Sequence, residues 1–152
     1  VEGLLSFKFW EENFYYITNK INYRKTKIKA KDIDISNLML LDDGHCLKSH
    51  VLAACKIETN KQYSMEASSL TTLTQLAAGG MGSTLVPHIA IDQLVNSNSL
   101  INKALLDEPG PHRELAIIIR PSYSSMESVE LLSEVFTSSL QKKLKAHSEQ
   151  SF

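Results

Sequence analysis

Three features of this 152-residue sequence predict an α/β fold. Short apolar runs rich in β-branched and aromatic residues recur along the chain, and between them lie segments of roughly ten residues with helical spacing. Gly, Pro, Asn, Asp and Ser gather at the junctions. Strands alternating with helices in this way imply parallel βαβ units, a sheet with helices on its faces. A hydrophobic content of 43% is adequate for a modest core in one or at most two lobes.

The elements follow in order. Phe14-Tyr-Tyr-Ile-Thr18 is aromatic and β-branched, a strand. Arg24 to Lys31 is the one basic stretch, and its alternation marks a solvated edge or loop. Asp32 to Asn37 is a polar entry to Leu38 to Leu41, an apolar run that reads as a buried strand ending in the turn Asp42-Asp43-Gly44. A helix opens at Cys46 and closes at Cys55. After a loop near Thr59 to Lys61, Tyr63 to Ala67 is a short strand feeding Ser68-Ser69. There a second helix starts, with Leu70, Leu73, Leu76 and Ala77 at helical spacing, Ser69 as its cap and Gly79-Gly80 as its stop. Ser83 to Val86 is a strand ended by Pro87, His88 to Val95 is helical, and Leu100 to Leu106 holds one more short strand. Arg113 to Arg120, containing Leu115-Ala-Ile-Ile-Ile119, is the strongest strand and leads to Pro121. Ser124-Ser-Met-Glu127 has the form of a capping box, and Val129, Leu132, Phe136 and Leu140 share the helical face that follows. From Lys142 onward the tail is polar, charged and expected to fray. The last helix needs a sheet to lie against, and the residues before Phe14 promise little of one. The chain therefore reads as one part of a larger two-lobed domain.

Several functions are excluded. No apolar stretch approaches the ~20 residues of a membrane span, and Val1 to Trp10 lacks the basic flank and cleavage signature of a signal peptide, so the expectation is cytoplasmic with no membrane. A net charge of −1 argues against a nucleic-acid-binding surface on the chain itself. No G-x-S-x-G elbow, P-loop or paired carboxylate motif is present, so an enzyme is not expected, and nothing calls for a cofactor.

The two cysteines, Cys46 and Cys55, stand nine residues apart. Along a continuous helix that spacing is a rise of about 13.5 Å, whereas a disulfide needs Cα atoms within about 4.4 to 6.8 Å. If the thiols joined, the helix would have to unwind, and oxidation would become a change of shape. The surroundings of Cys46 favour reactivity: it lies at a helix start, beside His45 and Lys48, with Asp42 and Asp43 opposing. Cys55 lies among Val51, Leu52, Ala53, Ala54 and Ile57, as a buried thiol of ordinary pKa would. Spacing alone also leaves open two inert core thiols, the commoner case. A metal site from His45, Cys46, His50 and Cys55 fits no common zinc spacing, and none is expected.

Leu38-Met-Leu-Leu-Asp-Asp-Gly-His-Cys-Leu-Lys48 with Cys55 resembles the redox segment of the OxyR family, peroxide-sensing regulators of the LysR type. Ala67-Ser-Ser-Leu-Thr-Thr-Leu73 resembles that family's A-T-S-L-x-T-L helix start, Gly80-Met-Gly-Ser-Thr-Leu-Val-Pro87 its G-x-G-x-T-L-L-P turn and strand, and Ile119-Arg120-Pro121 its Y-R-P strand end. The resemblance implies a periplasmic-binding-protein-like effector domain with a complete second lobe and a partial first one. Residues 1–11 would close the first lobe, 12–116 would form the second with its redox segment at 44–56, 117–147 would return to the first, and 148–152 would be tail. It further implies that Cys46 is the peroxide-reactive thiol and Cys55 the resolving one, with His45, Arg120 and Lys48 supporting the peroxide site. The implied partners are hydrogen peroxide, a second copy in a homodimer or tetramer, a thiol-disulfide reductant, RNA polymerase, and DNA through a winged helix-turn-helix that this chain lacks.

The chain departs from the pattern at Lys48-Ser49, where the family commonly has Arg-Asp, and at Glu66, where a basic residue is frequent. The alternative reading is a LysR-type domain that binds a small organic anion with Ser68, Ser69 and the adjoining helix N-terminus, the cysteines being incidental.

Overall fold

The computed structural model describes residues 3–58 and 65–148, and the expected loop at Thr59 to Lys61, the start of the expected strand at Tyr63, and the last residues of the tail lie outside them. In chain order the elements are β1 (Leu5–Glu12), β2 (Phe14–Asn19), β3 (Lys27–Ile28), β4 (Met39–Leu41), α1 (Cys46–Cys55), β5 (Met65–Ala67), α2 (Leu70–Ala78), β6 (Ser83–Pro87), α3 (His88–Ile91), β7 (Ile101–Leu106), β8 (Arg113–Ile119) and α4 (Met126–Ser148). Short 3-10 turns occupy Ala30–Asp32 and Ile35–Asn37, and α3 passes into a π turn over Asp92–Asn96. The chain divides into a continuous unit, Glu12–Arg113, and a split unit made of Val1–Glu11 and Glu114–Phe152.

The continuous unit holds a four-stranded sheet in the order β3-β7-β2-β6 and a two-stranded sheet of β4 and β5. A parallel bridge from Leu38 to Ser83 joins them at the β6 edge. Alternate residues of the strands serve opposite faces. Leu38 and Leu40 pack with Val51, Leu52 and Cys55 of α1 in one core cluster, while Met39 and Leu41 pack with Leu73 and Ala77 of α2 in the other. Burial on both faces explains why this strand is an unbroken apolar run. It also places α1 on one side of the sheet and α2 on the other.

The sheet is not wholly parallel, as the alternation of elements had implied. β4 pairs with β5 in parallel across α1, in keeping with that expectation, and β3 runs parallel to β7. β2, however, is antiparallel to both neighbours, with Tyr16 opposite Leu85 on β6 and Ala104 on β7. Helix and strand alternation constrains strands joined by a crossover, and β2 enters the unit before any helix. The basic stretch is a sheet edge: β3 has Lys27 exposed and Ile28 buried.

In the split unit, β1 pairs with β8, so the residues before Phe14 supply a full strand where little was expected. Its signal is the alternation Leu5, Phe7, Phe9 against Ser6 and Lys8, interrupted only by Trp10. Helix α4 covers β1: Thr137 donates to the Phe9 carbonyl at 3.0 Å, and the rings of Phe9 and Phe136 stand 5.4 Å apart. The helix starts one residue later than the capping box predicts, so Ser125 precedes it and its hydroxyl meets that of Ser128 at 2.6 Å. It also continues to Ser148 instead of fraying from Lys142. Lysines propagate a helix well and suit its negative C-terminal end. Among the described residues no helix is long and apolar enough to cross a membrane.

Candidate functional site

Helix α1 begins where Gly44, at φ +96°, turns the chain out of the buried strand. A left-handed conformation of that kind is open to glycine without strain. His45 precedes the helix as its N-cap without a side-chain capping bond, and Cys46 is the first helical residue. Nine residues on, the helix ends in a Schellman motif: Lys56 adopts φ +54°, its N–H reaches the Ala53 carbonyl, and Ile57 N–H donates to Leu52 at 2.9 Å. Ile57 and Leu52 are both buried in the same cluster, the apolar contact that accompanies such an ending.

Both cysteines are free thiols. Cys46 is exposed, whereas Cys55 is 6% exposed, and the intact helix between them keeps their Cα atoms about 13.5 Å apart. The Cys55 thiol does not keep the ordinary pKa expected of it: burial, aided by the Glu108 carboxylate, pushes it up to about 12. Glu108 is itself held in place, accepting from Ala30 N–H at 3.0 Å with Lys56 Nζ 3.8 Å from its other oxygen. Sequence reasoning missed this carboxylate, because it lies 53 positions from the thiol it faces.

Lys48 is drawn into ion pairs. Its side chain is only 11% exposed, and its ammonium contacts Asp43 at 2.7 Å and also Glu66. Those two carboxylates, Asp43 first, raise the Lys48 pKa above the ordinary lysine value. The two positions that depart from the family pattern thus meet: Lys48 from α1 and Glu66 from β5 form a pair, which ties the first turn of α1 to the sheet. His50 lies one turn beyond Cys46 with its Nδ1 buried and unbonded.

The remaining candidates lie elsewhere. Ser69 caps α2, accepting from Thr72 N–H at 3.1 Å, and Ser68 beside it is exposed. Arg120 follows β8 in the split unit, where its carbonyl accepts from Tyr123 N–H at 2.9 Å. Among the described residues no three His, Cys, Asp or Glu side chains gather as they would around a metal ion.

The LysR substrate binding domain model matches residues 2–141. The reduced regulatory domain of OxyR2 from Vibrio vulnificus is 30% identical and superposes with a TM-score of 0.71, over 92% of this chain and 67% of that one. The chain belongs to the LysR substrate-binding domain family, in its OxyR-type branch. An OxyR C206S mutant from Corynebacterium glutamicum, with hydrogen peroxide bound, superposes at a TM-score of 0.83 and 25% identity, covering all of this chain and 49% of that one. Among curated proteins, the HTH-type transcriptional regulator EstR of Acinetobacter baylyi is 37% identical over 82% of this chain and 42% of its own length. A probable hydrogen peroxide-inducible genes activator of Streptomyces viridosporus is 31% identical over 79% of this chain and 40% of its own. The chain thus spans about two fifths of these curated relatives. The family is one of transcriptional regulators and not of enzymes. As an OxyR-type regulatory domain, the chain carries its two cysteines at the ends of one helix.

Proposed function

We propose that this domain senses hydrogen peroxide through Cys46 and reports it by closing a disulfide to Cys55. The observation that carries the reading is the placement of the two thiols: one exposed at the first residue of α1, one buried at the last. Cys46 as thiolate attacks one peroxide oxygen. The O–O bond breaks, the leaving hydroxide takes a proton to become water, and the sulfur is left as a sulfenic acid. Cys55 then attacks that sulfur, the S–OH bond breaks, and a second water leaves as the disulfide forms. Two thiols are oxidised by two electrons and one peroxide is reduced to two waters. Cys46 is spent once per signal, which is regulation and not turnover.

The second step cannot occur within the helix, because its ends are too far apart and the Cys55 thiol keeps its proton while buried. Opening α1 delivers both requirements together. His45 stands next to Cys46 for the first step, Lys48 fixes the helix start through Asp43 and Glu66, and the family resemblance assigns Arg120 a supporting part. We read the continuous unit as the second lobe of the regulator. In the intact protein a homodimer or tetramer would transmit the change to a winged helix-turn-helix on DNA and so to RNA polymerase, in the cytoplasm, with a thiol-disulfide reductant resetting it. The competing reading, an organic anion held at the start of α2, has less behind it, since the Ser69 hydroxyl is already engaged as a cap.

Thiol counting on the intact regulator after stoichiometric peroxide tests the proposal. Two thiols should disappear in the native protein and none in Cys46→Ser, while Cys55→Ser should stop at a sulfenic acid that a dimedone probe traps. Peroxide-dependent loss of Cys55 in the Cys46→Ser protein would rule the reading out.

A further inference from the structure

On the face of the sheet that carries α1, next to the 3-10 turns, lies a cavity of about 400 Å³ that the redox chemistry does not use. Tyr16, Tyr23, Asp32, Asp34 and Asn37 line it, and the Gly80 to Ser83 turn closes it. The wall is tightly fitted: a Cβ on Gly82 would lie 2.6 Å from the Asn37 carbonyl, so only glycine lets that turn approach.

Tyr16 is 8% exposed, yet its hydroxyl bonds to no described residue and opens on this space. Its ring meets that of Tyr23 edge-on, with centroids 5.7 Å apart and planes at 74°, while the Tyr23 hydroxyl is already donating to the Lys27 carbonyl at 2.8 Å. Asp34 is likewise committed, accepting from the Ser36 hydroxyl at 2.6 Å, from Ser36 N–H at 3.0 Å and from Asn37 at 2.6 Å, which hold it below the usual carboxylate range. The Asp32 carboxylate has no hydrogen bond or ion pair among the described residues, and burial, with the Asp32 charge second, raises the Tyr23 hydroxyl. Among the described residues no lysine, arginine or histidine lines the cavity, and Lys27, Lys29 and Lys31 are exposed.

We propose that this cavity binds a small organic cation with a primary ammonium group. Its three N–H donors suit the free oxygens of Asp32 and Tyr16, and the tyrosine rings favour a positive charge. A bare divalent ion is a poorer match, since it needs about six oxygen ligands and only one free carboxylate is offered. A neutral alcohol offers no charge to the one free carboxylate, that of Asp32. From Asn37 in the wall the chain runs through β4 to Cys46, nine positions on. A ligand seated here touches the segment that leads into the redox helix.

Calorimetric titration of the full-length regulator with 1,4-diaminobutane, and separately with 1,4-butanediol and with magnesium, tests this. The diamine should bind saturably at one site per chain, and the diol and magnesium should not. Asp32→Asn, on an exposed position, should weaken diamine binding about tenfold, the worth of one charge-assisted hydrogen bond. Tyr16→Phe should weaken it severalfold without shifting the melting temperature downward. Absence of saturable diamine binding, equal binding of the diol or of magnesium, or native affinity in Asp32→Asn would each overturn the proposal.

Discussion

A thiol that is to attack a sulfenic acid must first lose its proton, and Cys55 holds its proton tightly, pushed up to about 12. A raised value means that the folded state binds the proton more strongly than the unfolded one. The stability this confers is whole below the ordinary thiol range near 8.5 and is lost as pH climbs from there towards 12. Alkaline solution should therefore loosen α1 around Cys55. At pH 8 a haloacetamide should label Cys46 in Cys55→Ser roughly a hundredfold faster than Cys55 in Cys46→Ser, because few Cys55 thiols are both uncovered and ionised. Peptide mapping gives the rates, and equal rates would contradict the assignment. Lys48 makes a second prediction. Glu66 is more than a third exposed, so the Lys48 to Glu66 coupling should be small, about 0.5 to 1 kcal/mol in a double-mutant cycle with Lys48→Met and Glu66→Gln. Either single change should speed amide exchange at the start of α1. Neither partner could be assigned from the sequence, where Glu66 is visible only as an acid in an unusual place. Their meeting depends on β4 pairing with β5.

Helix α1 is built to end sharply, and its ending carries a cost. Lys56 occupies a left-handed conformation, φ +54°, that a residue with a Cβ adopts at about 1 to 2 kcal/mol. Lys56→Gly removes that strain but also makes the unfolded chain more flexible, so a net gain of about 0.5 to 1 kcal/mol is expected for the closed helix. The lost contact with Glu108 is minor, because the lysine side chain is 78% exposed. Since disulfide closure needs the helix to open, Lys56→Gly should slow peroxide-driven bond formation about two- to fivefold, as stopped-flow thiol loss would show. Acceleration would mean that opening starts elsewhere. The elements around this helix were readable because their signals are local. Gly44 marks its start, Ser69 caps the next helix, and Gly79 stops it. The left-handed Lys56 gave no such sign, since lysine has no preference for that conformation.

At the scale of the whole chain, strand pairing is what the sequence hides. β1 and β8 are neighbours in a sheet although about a hundred positions separate them, and the direction of β2 depends on β7, equally remote. Among the described residues the split unit offers α4 a two-stranded sheet, and Leu131, Leu132, Val135 and Phe136 are 60%, 45%, 51% and 41% exposed. A contiguous apolar face of that kind drives association. The 152-residue chain alone should sediment as oligomers, and Leu132→Glu with Val135→Lys should shift it towards monomer; a native chain that is already monomeric would refute this. The continuous unit faces a different problem, that of fixing its own two ends. Glu12 at one end has a side chain 0% exposed, and its carboxylate accepts from Ile89 N–H at 2.9 Å and from Arg113, at the other end, at 3.2 Å. Burial raises the Glu12 pKa, opposed by the Ile89 N–H and the Arg113 charge. Arg113→Met leaves the carboxylate buried with no cation beside it and should cost about 2 to 4 kcal/mol near neutrality. With Arg113 gone, the Glu12 value in the folded protein rises further above the unfolded one. The penalty should then shrink as pH falls and Glu12 takes up a proton, and grow as pH rises through the folded value. Adding Glu12→Gln should recover most of the loss, because the amide remains an acceptor for Ile89 without a charge to bury. Melting temperatures of the three variants in the full-length regulator at pH 5 and pH 8 would test the pairing, and a deficit in Arg113→Met that is the same at both would show that Glu12 does not carry it.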